Sequence, residues 1–149
     1  MADNEILSKP LAGAQTILVV DDVRVVRQVT YRLLSEAGYR VFEAASAAEA
    51  LEVLKTALRP VDLVLVDVMM PEMSGVQLVQ RIEARWPTMR VLFMSAYQAE
   101  VLVREGLEHP NVIFLAKPFT RDELLGKVTA ALQQQPKLGG ARSEIGRPR

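Results

Sequence analysis

Cysteine is absent from the 149-residue sequence, and there is a single histidine, His109. The first absence excludes disulfides and thiolate metal sites, and the second excludes a multi-histidine metal site. No hydrophobic run reaches the roughly 18 to 20 residues that a membrane helix needs. No charge of one sign is in excess, since 18 lysines and arginines balance 18 aspartates and glutamates. These absences predict a cytoplasmic protein with no membrane partner and no direct nucleic-acid partner.

The residues that are present give the composition of a globular domain, with 50% hydrophobic and 24% charged residues. The length suits one domain. Short runs rich in valine, isoleucine and leucine alternate with stretches of helical spacing, which indicates a parallel α/β sheet. We assign this pattern to residues 15–133. Residues 1–14 and 134–149 lack it and are predicted to be a disordered N-terminal arm and a disordered C-terminal tail.

Five strand–helix units are predicted. The apolar runs that we interpret as strands cover 17–20, 39–43, 61–66, 90–94 and 112–116. A helical stretch follows each strand. The first passes through Val26, Val29, Leu33 and Leu34 and closes at Gly38, and the second runs from Ser46 to Pro60. The third passes through Val76, Val79 and Ile82 and stops before Pro87, the fourth covers 98–105, and the fifth begins at Thr120. Ser46 with Glu49 and Thr120 with Glu123 have the spacing of helix caps. We predict a doubly wound, flavodoxin-like sheet of strand order 2-1-3-4-5.

Polar residues with related chemistry follow four of these strands, namely Asp21 and Asp22, Asp67, Ser95 and Lys117. The carboxyl ends of parallel strands share one edge of the sheet, so we expect these side chains to converge. Each residue alone is commonly a helix cap or a loop residue, but their coincidence at four strand ends favours one site. Three carboxylates in one crevice require a cation, and Mg²⁺ suits oxygen ligands of this kind.

A carboxylate beside a metal, an ammonium and a hydroxyl is equipped to attack phosphorus and form an aspartyl phosphate. Asp67 is the better nucleophile because it stands alone after the central strand and precedes the loop over 71–75. Asp21 and Asp22 are better placed as metal ligands.

With these residues the sequence resembles the receiver domain of two-component response regulators, of the single-domain type. The resemblance covers about residues 15–133. The motifs that carry it are VVDD at 19–22 with Arg27 following, DVMMPEMSG at 67–75, MSA at 94–96 and FLAKPF at 114–119. The resemblance implies phosphoryl transfer from the phosphohistidine of a histidine kinase or a phosphotransfer protein onto Asp67. The domain would catalyse its own phosphorylation and slow dephosphorylation without being a conventional enzyme.

The resemblance also implies a role for individual residues. Magnesium, for which Mn²⁺ can substitute, would be bound by Asp21, Asp22, Asp67 and the backbone carbonyl of Met69. The phosphoryl group would contact Met69, Ser95, Ala96 and Lys117, and the Lys117–Pro118 peptide would be cis.

Switching is expected to involve Ser95 and Phe114, and to alter the face formed by the helix over 98–105, strand five and the last helix, where a downstream protein would bind. Phe114 lacks the hydroxyl of the commoner tyrosine. The loop over 106–111 is similar to those of hybrid-kinase receivers, so we expect a monomer or a weak homodimer. Met69 and Tyr97 flank the route of a hydrolytic water, and neither orients water well, which predicts slow autodephosphorylation.

Several alternatives stay open. The start at Met1 favours a stand-alone receiver, whereas the 106–111 loop favours a hybrid-kinase module or a phosphorelay intermediate. A non-phosphorylated docking module is another alternative. A phosphatase or mutase normally needs a carboxylate two residues after the nucleophile, where this sequence has Met69. A nucleotide or flavin site lacks a glycine-rich phosphate motif after strand one.

Overall fold

One parallel sheet of five strands organises the computed structural model, which describes residues 14–96 and 113–134. The strands are β1 (Thr16–Val20), β2 (Arg40–Ala44), β3 (Leu63–Asp67), β4 (Arg90–Ser95) and β5 (Ile113–Ala116). The helices of the described residues are α1 (Arg24–Glu36), α2 (Ala47–Thr56), α3 (Gly75–Arg85) and α4 (Arg121–Gln133). The strand order is β2-β1-β3-β4-β5 with parallel neighbours throughout, which confirms the predicted fold. The helix predicted over 98–105 lies outside the described residues.

Helices cover both faces of the sheet, so the central strands are apolar on both sides. Alternate residues of β1 and β3 point to opposite layers. Leu18, Val20, Val64 and Val66 pack with α2 and α3, whereas Ile17, Val19, Leu63 and Leu65 pack with α1 and α4. Each such side chain contributes about 1.5 to 3 kcal/mol on burial. This packing fixes the height of the strand ends, where the polar residues lie.

Hydroxyl side chains cap three of the helices. Ser46 Oγ accepts from the amide of Glu49 at 3.1 Å, and Thr120 forms a reciprocal capping box with Glu123, as predicted. Ser74 and Gln77 form a second capping box that we did not predict, although the three-residue spacing is a sequence signal for it. These caps fix where α2, α3 and α4 begin.

The first helix ends as predicted, and a polar residue lies on its inward face. Gly38 closes the helix with φ of 102°, a conformation that favours glycine. Thr30 and Leu34 are buried, whereas Val29 is 49% exposed. Thr30 is fully buried and takes an inward position on the helix. Thr30 Oγ1 is satisfied by donating to the Val26 carbonyl at 2.7 Å.

The third strand begins two residues later than predicted because Asp62 has another role. Its carboxylate Oδ2 accepts from the amide of Thr16 at 2.7 Å, and its own amide donates to the Thr16 carbonyl at 2.8 Å. The strand also extends to Asp67.

Within the described residues, no helix is long and apolar enough to span a bilayer.

Candidate functional site

The candidate site lies at the carboxyl ends of β1 and β3, which are neighbours in the sheet. The chain leaves β1 toward β2 on one side, and β3 has β4 on the other side. Ligands of open α/β sheets bind at such a point, where the strand order reverses. Asp21 and Asp67 are buried there, and Asp22 is exposed.

Three carboxylates converge as the sequence predicts. Asp21, Asp22 and Asp67 each offer a carboxylate oxygen, and these oxygens lie within 4.8 Å of one another. Lys117 reaches the same place from the end of β5, and its Nζ donates to Asp21 Oδ2 at 2.8 Å and to Asp67 Oδ2 at 3.0 Å. The ammonium thus binds two of the three carboxylates, and the cluster as a whole keeps an excess of negative charge.

This donor set fits a hard divalent cation. Magnesium binds through one or two carboxylates and keeps several waters, and the exposure of Asp22 leaves room for water on one side. Asp21 and Asp67 are preorganised, because Asp21 Oδ1 accepts from the Val23 amide at 2.9 Å and Asp67 Oδ1 accepts from the Met69 amide at 3.2 Å. Each oxygen keeps a second lone pair for a metal ion.

Burial is the main influence on the pKa of Asp67 and raises it above its ordinary value of 3.8. The nearby charge of Asp21 acts in the same direction, whereas Lys117 and the Met69 amide lower it without reversing the effect. Burial by itself would lower the pKa of Lys117, but the hydrogen bonds and charges of Asp21 and Asp67 outweigh burial, so that this pKa lies above 10.5. Lys117 is therefore cationic at neutral pH. Its single charge does not fully offset the cost of burying the ionised Asp67 carboxylate.

The start of α3 lies so close to the peptide of Asp67 that position 75 requires glycine. The amide of Gly75 donates to the Val68 carbonyl at 2.7 Å, and this bond brings the start of α3 against the end of β3. A Cβ at position 75 would overlap the carbonyl oxygen of Asp67 and lie 2.9 Å from its carbonyl carbon. Only glycine allows this approach. From the sequence, Gly75 was assigned only to the loop over 71–75 and to the motif at 67–75, and the close approach was not predicted.

The remaining predicted residues surround this centre. Ser95 is buried at the end of β4, and its carbonyl accepts from the Lys117 amide at 2.9 Å, which ties β4 to the start of the cis Lys117–Pro118 peptide. Ala96 is exposed beside it. Phe114 is half-buried against the core layer of α2 and α3. Met69 is exposed two residues after Asp67, and Tyr97 lies outside the described residues.

An exposed apolar surface that the sequence did not predict borders the site. Val25 and Val29, one helical turn apart on the outer face of α1, are 69% and 49% exposed. With Pro118 and Phe119 they line a groove of about 320 Å³ that reaches Lys117. We call these four residues the apolar rim. The i, i+4 spacing of Val25 and Val29 is the sequence signal that could have indicated this surface.

The fold and the cluster together define the class: an α/β domain with an acidic site and a lysine at the switch point of a 2-1-3-4-5 sheet. Residues 17–129 match the model of the response regulator receiver domain. The chain belongs to this family, and it is a receiver domain of two-component systems. Receiver domains generally bind Mg²⁺ at an acidic pocket, and they interact with histidine kinases or phosphotransfer proteins.

Known relatives agree with this membership. The chain is 37% identical over 125 residues to the sensor kinase CckA of Brucella abortus, covering 84% of this chain but 13% of that protein. It is 34% identical over 110 residues to sporulation initiation phosphotransferase F of Bacillus subtilis, covering 74% of this chain and 87% of that one. A solved signal receiver domain of an HD domain-containing protein from Pseudomonas fluorescens Pf-5 superposes with a TM-score of 0.72 at 30% identity, covering 80% and 95% of the two chains.

Proposed function

We propose that this domain accepts a phosphoryl group from a phosphohistidine onto Asp67, with magnesium, and that the modification changes a partner-binding surface. The observation that carries the proposal is the bridging position of Lys117, whose Nζ lies 2.8 Å from Asp21 Oδ2 and 3.0 Å from Asp67 Oδ2. A cation so placed between the nucleophile and a metal-ligand candidate suits phosphoryl transfer. The proposed domain spans 15–133, with 1–14 and 134–149 outside it, and acts in the cytoplasm.

In the proposed step an oxygen of Asp67 attacks the phosphorus of the phosphohistidine. The O–P bond forms as the N–P bond breaks, and the electron pair of that bond returns to the imidazole nitrogen of the donor. Lys117 exchanges a carboxylate partner for a phosphoryl oxygen, which needs little movement because its ammonium already touches Asp67. When bound by Asp21, Asp22, Asp67 and the Met69 carbonyl, Mg²⁺ or Mn²⁺ would offset negative charge on the carboxylates and the phosphoryl oxygens.

The other residues have roles in the same proposal. Met69, Ser95 and Ala96 contact the phosphoryl group, and Ser95 with Phe114 relays its presence to the face of the predicted helix over 98–105, β5 and α4. The locations of Ser95 and Phe114 support these roles. Ser95 ends β4, the strand beside β3, and Phe114 is half-buried two residues before the end of β5. Any such switch is limited by the contacts that the phosphoryl group gains in one state over the other.

The phosphorylated form is proposed to be long-lived because Met69 and Tyr97 obstruct or fail to orient the hydrolytic water. Met69 is 40% exposed beside Asp67, and its thioether is a poor hydrogen-bond partner. The double variant Met69→Asn with Tyr97→Ser should lose phosphate faster than the wild type, as measured by decay of the modified mass. Unchanged decay would contradict this part of the proposal.

The apolar rim is proposed as the contact for the donor protein, which must bring its phosphohistidine to Asp67. The rim reaches Lys117, so an apolar surface next to the donor histidine would cover it as transfer occurs. Val29→Glu should slow transfer from a phosphorylated kinase or phosphotransfer protein about tenfold and leave phosphorylation by acetyl phosphate unchanged. Leu58→Glu, at a fully exposed leucine away from the rim, is the matched control.

A receiver module within a hybrid kinase, or a phosphorelay intermediate that passes the group on, is the second candidate. The sensor kinase relative supports the first form, since this chain matches 13% of that protein, and the phosphotransferase F relative supports the second, since 87% of it is matched. Both forms keep the same chemistry at Asp67. We propose a monomer or a weak homodimer for the domain itself.

The direct test is intact-mass analysis after incubation with MgCl₂ and acetyl phosphate. We expect one phosphoryl adduct on the wild type, none on Asp67→Asn, and none after chelation of the metal. Asp62→Asn, which alters an aspartate at the other end of the sheet, should remain competent. No adduct from acetyl phosphate or from any histidine kinase would contradict the proposal and favour a docking module that is not phosphorylated.

A further inference from the structure

Arg27 makes two contacts beside the acidic cluster that its place in the motif did not explain. It lies in the first turn of α1, and its side chain is 14% exposed. Its Nη1 donates to the backbone carbonyl of Asp21 at 2.9 Å, and its Nε donates to Glu43 Oε1 at 3.0 Å. The guanidinium therefore joins the loop after β1 to the edge strand β2, where Glu43 lies.

The carbonyl that Arg27 binds belongs to the peptide between the two adjacent aspartates. The rest of Asp21 is held by other groups: its amide donates to the Ala44 carbonyl at 3.1 Å, and its carboxylate accepts from the Val23 amide and from Lys117. Arg27 adds the contact that fixes the peptide plane from which Asp22 extends. Asp22 is exposed and follows this peptide directly, so its direction depends on that plane.

Charge explains why this contact does not oppose a metal ion. A guanidinium always carries a positive charge and would compete with a cation at the cluster. Glu43 pairs with Arg27 and offsets that charge, while the fork of the guanidinium reaches both partners at once. The hydrogen bond goes to a carbonyl oxygen, so it leaves the Asp22 carboxylate for a metal.

We infer that Arg27 is a positioning residue that sets the spacing of Asp21 and Asp22 for a divalent cation, with Glu43 orienting its guanidinium. The inference rests on the proposed function, in which these aspartates bind magnesium. It differs from a surface ion pair that only stabilises the fold, because such a pair would affect unfolding and leave metal affinity alone.

The test is calorimetric titration of the whole chain with MgCl₂, without any phosphoryl donor. Groups that hold metal ligands in place typically contribute 10- to 100-fold to metal affinity, so we expect Arg27→Met to weaken binding at least about tenfold. Arg27→Lys keeps the charge but cannot reach both partners, and should weaken binding about threefold or more. Glu43→Gln keeps an acceptor oxygen and should stay within about threefold.

Arg32→Met is the matched control, since it removes an exposed arginine from the same helix and should leave the affinity unchanged. Urea unfolding of every variant in EDTA supplies the stability readout. A wild-type magnesium affinity in Arg27→Met, with or without loss of stability, would overturn the inference and leave the proposed function intact. If Arg27→Met does not fold, an unchanged affinity in Arg27→Lys overturns it. A wild-type chain that does not bind magnesium would overturn both.

Discussion

The two ends of the sheet both carry aspartates, but the surroundings of these residues differ. At the amino end, the Asp62 carboxylate accepts from the Thr16 amide at 2.7 Å, and the Asp62 amide donates to the Thr16 carbonyl at 2.8 Å. At the carboxyl end, Asp21, Asp22 and Asp67 lie within 4.8 Å of one another, and one ammonium binds Asp21 and Asp67. Backbone amides donate to carboxylates at both ends, so charge is what separates them. Carboxylates that outnumber their positive partners indicate a site built for a cation.

The largest effect is expected from removing the shared ammonium. Lys117→Met leaves buried Asp21 and Asp67 without their cation, and loss of one partner from a buried charge pair costs about 3 to 5 kcal/mol. The free energy of unfolding in EDTA, from urea denaturation, should fall by about 3 kcal/mol. Magnesium should then stabilise this variant more than the wild type. A loss below about 1 kcal/mol would mean that the carboxyl end is no more charge-dependent than an exposed ion pair.

Glycine substitutions distinguish the close approach at the site from ordinary helix positions. Gly75→Ala would force a Cβ against the Asp67 carbonyl and should cost about 2 kcal/mol or more. It should also slow phosphorylation, because the Asp67 peptide must move. Gly126→Ala in α4 is the control: its Cβ would meet no atom within 4 Å, and we expect a gain of about 0.5 to 1 kcal/mol. Equal effects in thermal melts of the two variants would contradict this role for Gly75.

The amino end is expected to affect stability alone. Asp62→Ala removes a charged acceptor from the Thr16 amide, and we expect a loss of about 1.5 kcal/mol in the free energy of unfolding. Magnesium affinity and phosphorylation should match the wild type. If Asp62→Ala remains folded but no longer binds magnesium, the claim that the amino end affects stability alone is wrong.

The smallest effect is a dependence on alkaline pH. The pKa of Lys117 lies above 10.5 in the folded protein, so the folded state holds this proton when the unfolded state has begun to lose it. The stabilisation is complete below pH 10.5 and declines as pH rises through the folded pKa, by at most about 1.4 kcal/mol per pH unit. The stability difference between the wild type and Lys117→Met should therefore shrink above pH 10.5. A difference that stays constant or grows would contradict the shift.

The strand order and the convergence of the site could be predicted from the sequence because both depend on local patterns. The apolar runs of β1 and β3 indicate strands that are buried on both faces, and parallel strands bring their carboxyl ends to one edge. Asp21, Asp67 and Lys117 meet there for that reason. Gly38 and the Thr120 cap were predictable because helix ends follow short sequence rules.

Contacts between distant elements could not be predicted in this way. Arg27 follows the VVDD motif in the sequence, but its contacts cannot be read from the motif. Only the packing of α1 beside β2 brings its guanidinium to the Asp21 carbonyl and to Glu43. The need for glycine at position 75 depends on the close approach of α3 to β3. The exposure of Val29 depends on how α1 is rotated against the sheet, where Thr30 takes the inward position.

The location of a bound cation tests the difference between the two ends most directly. Mn²⁺ added in small amounts to the ¹⁵N-labelled protein broadens the amide resonances nearest to it, and this effect declines steeply with distance. The account predicts that the amides of Asp22, Val23 and Met69 broaden first while those of Asp62 and Arg90 stay sharp. Broadening centred on the amino end of the sheet, or spread evenly over the protein, would contradict it.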